Sequence, residues 1–178
     1  MDAESREKQV VFADSVQIDK AVMAIANQIN EEYKEKNPLL IGILKGSFVF
    51  LADLARKLDM AVEIDFIGLS SYHEQKKSTG KISLYCEPSA IIRGRDVILV
   101  EDLVDTGLST SFAVDYVKNE GANSVKLCAL LDKKSCRVVD VAVDYFGFDL
   151  PDRFVVGYGM DYNEKYRNLK DIIILGDE

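Results

Sequence analysis

Three carboxylates stand close together near the middle of the chain, directly after an apolar run. Val97–Val100 leads into Glu101 and Asp102, and the third carboxylate opens the segment Asp105–Gly107. Carboxylates suit the hydroxyl groups of a sugar and a Mg²⁺ ion, and loop amides at a helix N-terminus suit a phosphate. Acids at a strand end also serve as solvated or helix-capping residues, so the carboxylates alone leave both interpretations open.

Alternating strands and helices would bring these groups to one edge of a sheet. The segment 96–102 is typical of a buried parallel strand, and Ser109 or Thr110 can cap the helix that follows it. In an open α/β sheet, ligands bind at the carboxyl ends of the strands. The pattern predicts an α/β fold with a mostly parallel, twisted sheet flanked by helices. Further strands are expected at 39–44, 62–66, 82–86 and 125–131, short extended pieces at 144–148, 154–158 and 171–175, and helices at 18–33, 48–58 and 109–119.

One long polar segment interrupts this pattern. Residues 70–80 carry polar side chains and end at Gly80. Long structureless loops in compact domains often act as lids. The segment is therefore predicted to be a mobile loop.

Composition narrows the class of protein. The chain has 178 residues, 48% of them hydrophobic, which predicts a single domain, and its net charge of -8 argues against a general nucleic-acid or membrane-surface binder. The charged N-terminus has no signal-peptide pattern, and no apolar stretch approaches the ~20 residues of a membrane span. The three cysteines form no C-x-x-C pair, which favours reduced thiols in the cytoplasm. The expected partners are small molecules.

Several common mechanisms do not fit these residues. The single histidine is His73, and no G-x-S-x-G elbow, Walker A or complete G-x-G-x-x-G motif occurs. No Cys/His cluster has the spacing of a zinc site. The acidic cluster is left as the candidate site.

The segment from Glu101 to Gly107 resembles the phosphoribosyl pyrophosphate (PRPP) signature of the type I phosphoribosyltransferases. The resemblance spans roughly residues 39–175. Within this range the chain resembles the hypoxanthine-guanine branch of the family at residues 44–47, 71–72, 130–133, 151–158, 161–164 and 167. It implies one phosphoribosyltransferase domain over 1–178. A small hood would come from the N-terminal segment and about residues 150–178.

The resemblance also implies a PRPP site. The 5-phosphate would be held by amides and hydroxyls of the loop, and ribose and Mg²⁺ would lie near Glu101 and Asp102, with Asp161 helping to hold a second Mg²⁺. Leu108 stands where the family often has a lysine. The peptide Lys45-Gly46 is implied to be a cis bond that meets pyrophosphate, and Arg167 would bind the same group. The loop residues assigned to the 5-phosphate are Asp105, Thr106, Gly107, Leu108 and Ser109.

A purine site is implied beside it. Asp105 would be the general acid or base at N7, and Lys133 would donate to O6 of a 6-oxopurine. Phe154 would stack on the base. From the residues alone, Phe154 is a core aromatic and the charged residues are exposed, so these roles come from the resemblance. It further assigns Leu103, Val155 and Asp161 to the purine and Ser71 and Tyr72 to the lid.

The implied function is purine salvage, in which the 5-phosphoribosyl group moves from PRPP to N9 of hypoxanthine and also guanine. An enzyme that prefers xanthine or guanine, and a non-catalytic PRPP-sensing regulator, are the alternatives. The charge and the lack of an added domain speak against the regulator. Members of the family are usually homodimers or homotetramers, and the same is expected here.

Overall fold

Strands and helices alternate through most of the chain. The computed structural model describes residues 10–74 and 77–176, with the backbone alone for residues 71–81. The helices are α1 (Ser15–Glu32), α2 (Phe48–Ala55) and α3 (Leu108–Asn119). The strands are β1 (Val10–Ala13), β2 (Leu39–Leu44), β3 (Glu63–Glu74), β4 (Lys77–Cys86), β5 (Asp96–Val104), β6 (Ser124–Asp132), β7 (Tyr145–Asp149), β8 (Val155–Val156) and β9 (Ile172–Ile174).

The main sheet has six strands in the order β4-β3-β2-β5-β6-β7. All neighbouring pairs are parallel except β3 and β4, which are antiparallel. The central strand β5 therefore lies between β2 and β6, and the carboxyl ends of these three strands meet at one edge. The predicted α/β class with a mostly parallel sheet is confirmed.

Both faces of this sheet are buried, which explains the continuous apolar runs of the central strands. In β2, Leu40 joins the hydrophobic cluster that contains Val22 of α1 and Phe50 of α2. Its neighbour Ile41 joins the opposite cluster, which contains Ala113 of α3. Helices on both sides thus hold the carboxyl edge of the sheet in place.

The predicted first helix is confirmed. Ile18, Val22, Ile25 and Ile29 are all buried on the face of α1 that meets the sheet. Asp14 closes a capping box at the start of the helix, where it accepts backbone N–H groups that have no partner within the helix. The amphipathic spacing and the cap together account for this element.

A second, three-stranded antiparallel sheet joins the two ends of the chain in the order β1-β9-β8. Ala13, Val155 and Ile172 from this sheet belong to the same hydrophobic cluster as Leu40 and Val100 of the main sheet. This continuous core places the C-terminal segment over the carboxyl edge.

Two expectations about local structure are wrong. The segment 70–80 is not a structureless loop, because β3 extends to Glu74 and β4 begins at Lys77, with His73 opposite Ser78. Cross-strand pairing from the preceding apolar positions continues through the polar ones, which carry no hydrophobic signal. Neither Ser109 nor Thr110 caps helix α3, because the helix begins at Leu108 and Gly107 at φ +83° turns the chain into it without a side-chain cap.

None of the helices in the described part of the chain is both long and apolar enough to span a bilayer.

Candidate active site

The loops that carry the chemistry meet at the carboxyl ends of β2, β5 and β6. Val104 pairs with Asp132 in the register of β5 and β6, so the loops that begin at Asp105 and Lys133 start side by side. The loop that begins at Lys45 follows β2, the neighbour of β5 on its other side. The structure therefore brings together three loops that are distant in sequence.

Glu101 and Asp102 lie within β5, which continues to Val104, and not at its end as expected. The strand is longer because its pairing with β6 continues to Asp132. Glu101 is buried, with 8% of its surface exposed. Burial, reinforced by the adjacent charge of Asp102 and a hydrogen bond with its side chain, raises the pKa of Glu101 well above its usual value.

Asp102 reaches from β5 to the loop after β2. A Cβ atom at Gly46 would lie 1.9 Å from Oδ2 of Asp102. On the other side of this glycine, a Cβ at Gly159 would lie 2.1 Å from the carbonyl oxygen of Gly46. The absence of both side chains lets the loop sit between the acidic strand and the C-terminal segment.

The cis peptide of this loop is not the one expected. It joins Leu44 to Lys45, one bond before the Lys45-Gly46 peptide. Non-proline cis bonds have no side-chain signature, so the residues could not identify which of two consecutive bonds adopts this form. Ser47, which follows the bend, is fully buried and donates from Oγ to the carbonyl oxygen of Ile43 at 2.6 Å.

The loop after β5 forms one wall of a small cavity of about 180 Å³. Residues 138 and 139 hold the backbone of this loop. The carbonyl oxygen of Thr106 accepts hydrogen bonds from the N–H groups of Val138 at 2.9 Å and Val139 at 3.1 Å. A Cβ at Gly107 would lie 2.5 Å from the carbonyl oxygen of Val139, so this contact also requires glycine. The cavity is lined by Ile43, Leu44, Leu69, Glu101, Leu103, Asp105, Thr106, Gly107, Ser109 and Thr110.

A larger cleft of about 640 Å³ adjoins this cavity. The two share Leu44, Leu69, Glu101 and Leu103 as walls. Ligand pockets typically occupy about 300–1,000 Å³, so the cleft can hold a small organic molecule. Its other lining residues are Lys45, Gly46, Ser70, Tyr85, Asp102, Phe154, Val155, Met160, Asp161, Glu164 and Arg167.

Lys133 is buried, yet it remains charged. Its Nζ lies 2.9 Å from Oδ1 of Asp152 and 4.0 Å from Oδ2 of Asp105. Burial lowers the pKa of Lys133, but the hydrogen bond that Lys133 donates to Asp152 and the charge of Asp105 outweigh burial and raise the pKa overall. The ammonium group is therefore a permanent donor beside the Asp105 carboxylate.

A network of charges connects the C-terminal segment to the loop after β2. Arg167 contacts Asp161 at 2.9 Å and donates to the carbonyl oxygen of Gly159 at 2.8 Å. Glu164 joins the two cations of the cleft, since its carboxylate lies 3.0 Å from Nζ of Lys45 and 3.3 Å from Nη2 of Arg167. These hydrogen bonds, from Lys45 first and then Arg167, lower the pKa of Glu164.

Phe154 is not a core aromatic. Half of its surface (52%) is exposed, and its ring meets Tyr162 edge to face with the centroids 5.7 Å apart. Val155, the next residue, is buried in β8 and also lines the cleft. A flat aromatic face is thus presented to solvent at the wall of the cleft.

The residues proposed for the lid lie on the β3–β4 hairpin. Ser71 and Tyr72 belong to β3, but their side chains lie outside the described part of the structure. Ser70 and Tyr85, one from each strand, do line the larger cleft. The β3–β4 hairpin therefore borders the larger cleft through these two residues.

Residues with a place in the site that were not assigned from the sequence include Asp152, Glu164 and Arg137. Asp152 and Glu164 stand within motifs that resemble the family, which is the signal that could have identified them. Arg137 had no such signal, because its contacts are to backbone carbonyl groups and to Asp132.

Metal binding must rely on few protein ligands. Among the described residues, no three His, Cys, Asp or Glu side chains form a ready-made cage. Mg²⁺ usually binds through one or two carboxylates together with substrate phosphates and water. The partly exposed Asp102 at the wall of the cleft fits that mode of binding, and the donor set is all oxygen.

Comparisons with known proteins agree with this geometry. A family profile described as "Phosphoribosyl transferase domain" matches residues 12–163. The chain is 43% identical over 154 residues to a hypoxanthine-guanine phosphoribosyltransferase of Streptococcus pyogenes, which covers 86% of each chain. It is 40% identical over 165 residues to that of Bacillus subtilis, which covers 93% of this chain and 92% of the relative.

Longer relatives and solved structures are similar as well. The chain is 41% identical over 170 residues to the bifunctional protein TilS/HprT of Listeria monocytogenes, and these residues cover 96% of the chain but only 26% of that protein. A crystal structure of a hypoxanthine-guanine phosphoribosyltransferase from Bacillus anthracis matches with a TM-score of 0.90 and 41% identity, covering 96% of this chain and all (100%) of the other. A crystal structure of a hypoxanthine phosphoribosyltransferase from Staphylococcus aureus matches with a TM-score of 0.90 and 35% identity, covering 94% of this chain and 91% of the other.

Proposed function

The chain belongs to the phosphoribosyl transferase family, and from that premise we propose that it transfers the 5-phosphoribosyl group of PRPP to N9 of hypoxanthine or guanine and releases pyrophosphate. One observation carries the proposal. Lys133 is held as a cation by Asp152, and its Nζ lies 4.0 Å from Oδ2 of Asp105. Asp105 begins the loop that lines the smaller cavity. A donor for a purine oxygen, a base for a purine proton and a cradle for a phosphate thus adjoin one another.

The smaller cavity suits the 5-phosphate of PRPP. Its wall is the start of α3, where backbone N–H groups and the positive end of the helix dipole favour an anion. The hydroxyl of Ser109 and that of Thr106 add donors. We assign the 5-phosphate to residues 105–109.

The larger cleft suits the purine and the pyrophosphate. The exposed ring of Phe154 offers a stacking surface for the base, and Leu103 and Val155 supply apolar walls. Lys133 can only donate, so it favours the O6 oxygen of a 6-oxopurine over the amino group of adenine. Rejection of adenine follows from this single charge.

The pyrophosphate would lie beside Lys45 and Arg167, the two cations that Glu164 now joins. Arg167 can bind it with a two-pronged guanidinium. We propose that Mg²⁺ binds at Asp102, with Glu101 and Asp161 as further candidates, and that it neutralises charge on the pyrophosphate when bound.

The transfer exchanges one bond at C1 of the ribose for another. The bond from C1 to the pyrophosphate oxygen breaks, and the pyrophosphate keeps the electron pair. The lone pair of the purine N9 forms the new bond to C1, and Asp105 accepts the proton that the base loses at N7. Exclusion of water by the β3–β4 hairpin would prevent hydrolysis at C1.

The remaining assignments concern the protein as a whole. The single core shared by both sheets supports one domain, with the three-stranded sheet as a hood. The three free cysteines support a cytoplasmic location. A homodimer or homotetramer is proposed, and sedimentation of the purified chain would measure it.

The decisive experiment is a steady-state assay with PRPP and Mg²⁺ against four bases. We expect turnover with hypoxanthine and guanine, weaker turnover with xanthine and none with adenine. Turnover restricted to xanthine or to guanine would favour the alternative specificity. A folded protein that binds PRPP but uses no base would be a regulator and would overturn the proposal.

A further inference from the structure

Arg137 lies behind the loop that lines the smaller cavity and is not among the residues that line it. It follows a short 3-10 turn, Lys134–Cys136, that comes directly after Lys133. Its Nη1 donates to the carbonyl oxygens of Val104 at 2.6 Å and Asp105 at 2.5 Å. Nη2 forms an ion pair with Asp132, which is only 2% exposed. One guanidinium therefore connects the ends of β5 and β6.

The next two residues continue this contact. The N–H groups of Val138 and Val139 both donate to the carbonyl oxygen of Thr106. Three consecutive carbonyl groups, those of Val104, Asp105 and Thr106, are thus held on the side of the loop that faces residues 137–139.

This arrangement orients the amides of the loop. In a planar trans peptide the C=O and N–H groups point in opposite directions. The N–H groups that share a peptide with these carbonyls belong to Asp105, Thr106 and Gly107, and they point away from Arg137. Asp105, Thr106 and Gly107 line the smaller cavity whereas Arg137 does not, so this orientation turns the three N–H groups toward the cavity.

We infer that Arg137 is a positioning residue for the 5-phosphate site: together with the N–H groups of Val138 and Val139, it keeps three consecutive amides turned toward the bound phosphate without contacting the substrate. The inference rests on the proposed function, because it requires a 5-phosphate in the smaller cavity. Lysine cannot replace the arginine here, since a single ammonium does not reproduce the planar fork that reaches two carbonyls and a carboxylate.

The test separates the phosphate contribution from the rest of the nucleotide. Dissociation constants for inosine 5′-monophosphate and for inosine are measured by calorimetry, and their ratio reports the gain from the phosphate. The variants are Arg137→Lys, which keeps the charge beside Asp132, and Arg137→Gln. Arg95→Gln is the matched control, because Arg95 also holds a carboxylate (Glu63) and a backbone carbonyl (Asn37) but at the opposite end of β5.

Both Arg137 variants are expected to lose about tenfold or more in affinity for the monophosphate, as for the loss of a hydrogen bond to a charged group. Inosine affinity should stay at the wild-type value, and Arg95→Gln should change neither. Melting curves identify the folded variants, and Arg137→Lys decides the matter if Arg137→Gln does not fold. A folded Arg137→Lys enzyme with the wild-type ratio would overturn the inference. A wild-type protein that binds both ligands equally would overturn the proposed function, and the inference with it.

Discussion

The carboxylate of Asp102 occupies the space that a side chain at residue 46 would need. The Cβ of an alanine there would lie 1.9 Å from Oδ2 and 2.5 Å from Cγ of Asp102. Asp102 belongs to β5 and Gly46 to the loop after β2, so the contact joins the acidic strand to the proposed pyrophosphate loop. Because of this contact, the position of the Asp102 carboxylate depends on the absence of a side chain at residue 46.

Gly46→Ala should therefore damage activity more than stability. Asp102 can twist away from its preferred rotamer at a cost of about 0.5–1.5 kcal/mol, but its carboxylate would leave the position proposed for Mg²⁺. Misplacement by about 1 Å can cost roughly 10²-fold in rate. We expect kcat/KM for PRPP to fall by about that factor, with a small change in melting temperature.

A double-mutant cycle with Asp102→Ala identifies the cause. If the contact explains the effect, the stability cost of about 0.5–1.5 kcal/mol that the alanine at residue 46 carries beside Asp102 should disappear once Asp102 has been shortened. Equal costs in the two backgrounds would mean that the loop itself, and not Asp102, rejects the side chain.

Glu101→Gln should alter how stability depends on pH. The folded pKa of Glu101 lies above its ordinary value of 4.5, so the folded state retains a proton that the unfolded state loses. Stability is then fully present below pH 4.5 and falls as pH rises toward the folded pKa, at about 1.4 kcal/mol per unit. The neutral glutamine removes this loss.

Thermal unfolding of both proteins between pH 4 and 9 measures the effect. We expect the variant to be the more stable protein at pH 8, and the difference to shrink toward pH 4. Parallel curves would show that Glu101 does not hold a proton in the folded state.

Asp105→Asn should lower turnover by about 10²–10⁴-fold, the usual contribution of a general acid or base. The amide cannot accept the purine proton, whereas the backbone that forms the cavity is unchanged, so PRPP should still bind. Initial rates and PRPP calorimetry measure the two quantities. Asp149→Asn, at the end of β7 and paired with Lys134, is the control and should retain wild-type turnover, and equal rates in both variants would remove Asp105 from the mechanism.

Lys133→Ala should raise the Michaelis constant for hypoxanthine more than that for PRPP. A hydrogen bond to a charged group contributes about 1.5–3 kcal/mol, which corresponds to roughly 10–100-fold. The neighbouring Lys134→Ala is the matched control, because Lys134 is exposed and pairs with Asp149. An effect confined to PRPP would contradict the assignment of Lys133 to the purine.

Asp152→Asn adds a second test of the same donor. The Asp152 carboxylate raises the pKa of Lys133, and burial lowers it. Removal of that carboxylate should therefore lower the pKa of Lys133. The pH at which hypoxanthine binding is lost on the alkaline side should then move to lower values. An unchanged profile would show that Lys133 does not need Asp152 to stay charged.

The chain's own residues determined the class of fold and the edge at which chemistry occurs. Apolar runs such as Val97–Val100 predict strands that are buried on both faces, and such strands are parallel with their carboxyl ends aligned. Asp105 follows a run of this kind, so the sequence by itself assigns it to that edge of the sheet. Lys133 was assigned to the site only through the resemblance to the family. Such signals are local, because they depend only on residues that are neighbours in the sequence.

Other features depended on contacts between residues far apart in the chain. The burial of Glu101, the ion pair of Lys133 with Asp152 and the contact of Asp102 with Gly46 arise only when the loops converge. The β3–β4 hairpin replaced the expected loop because cross-strand hydrogen bonds do not require apolar side chains. Arg137 holds backbone carbonyls, which every residue possesses, so no side-chain pattern marks its partners and only the tertiary structure could reveal them.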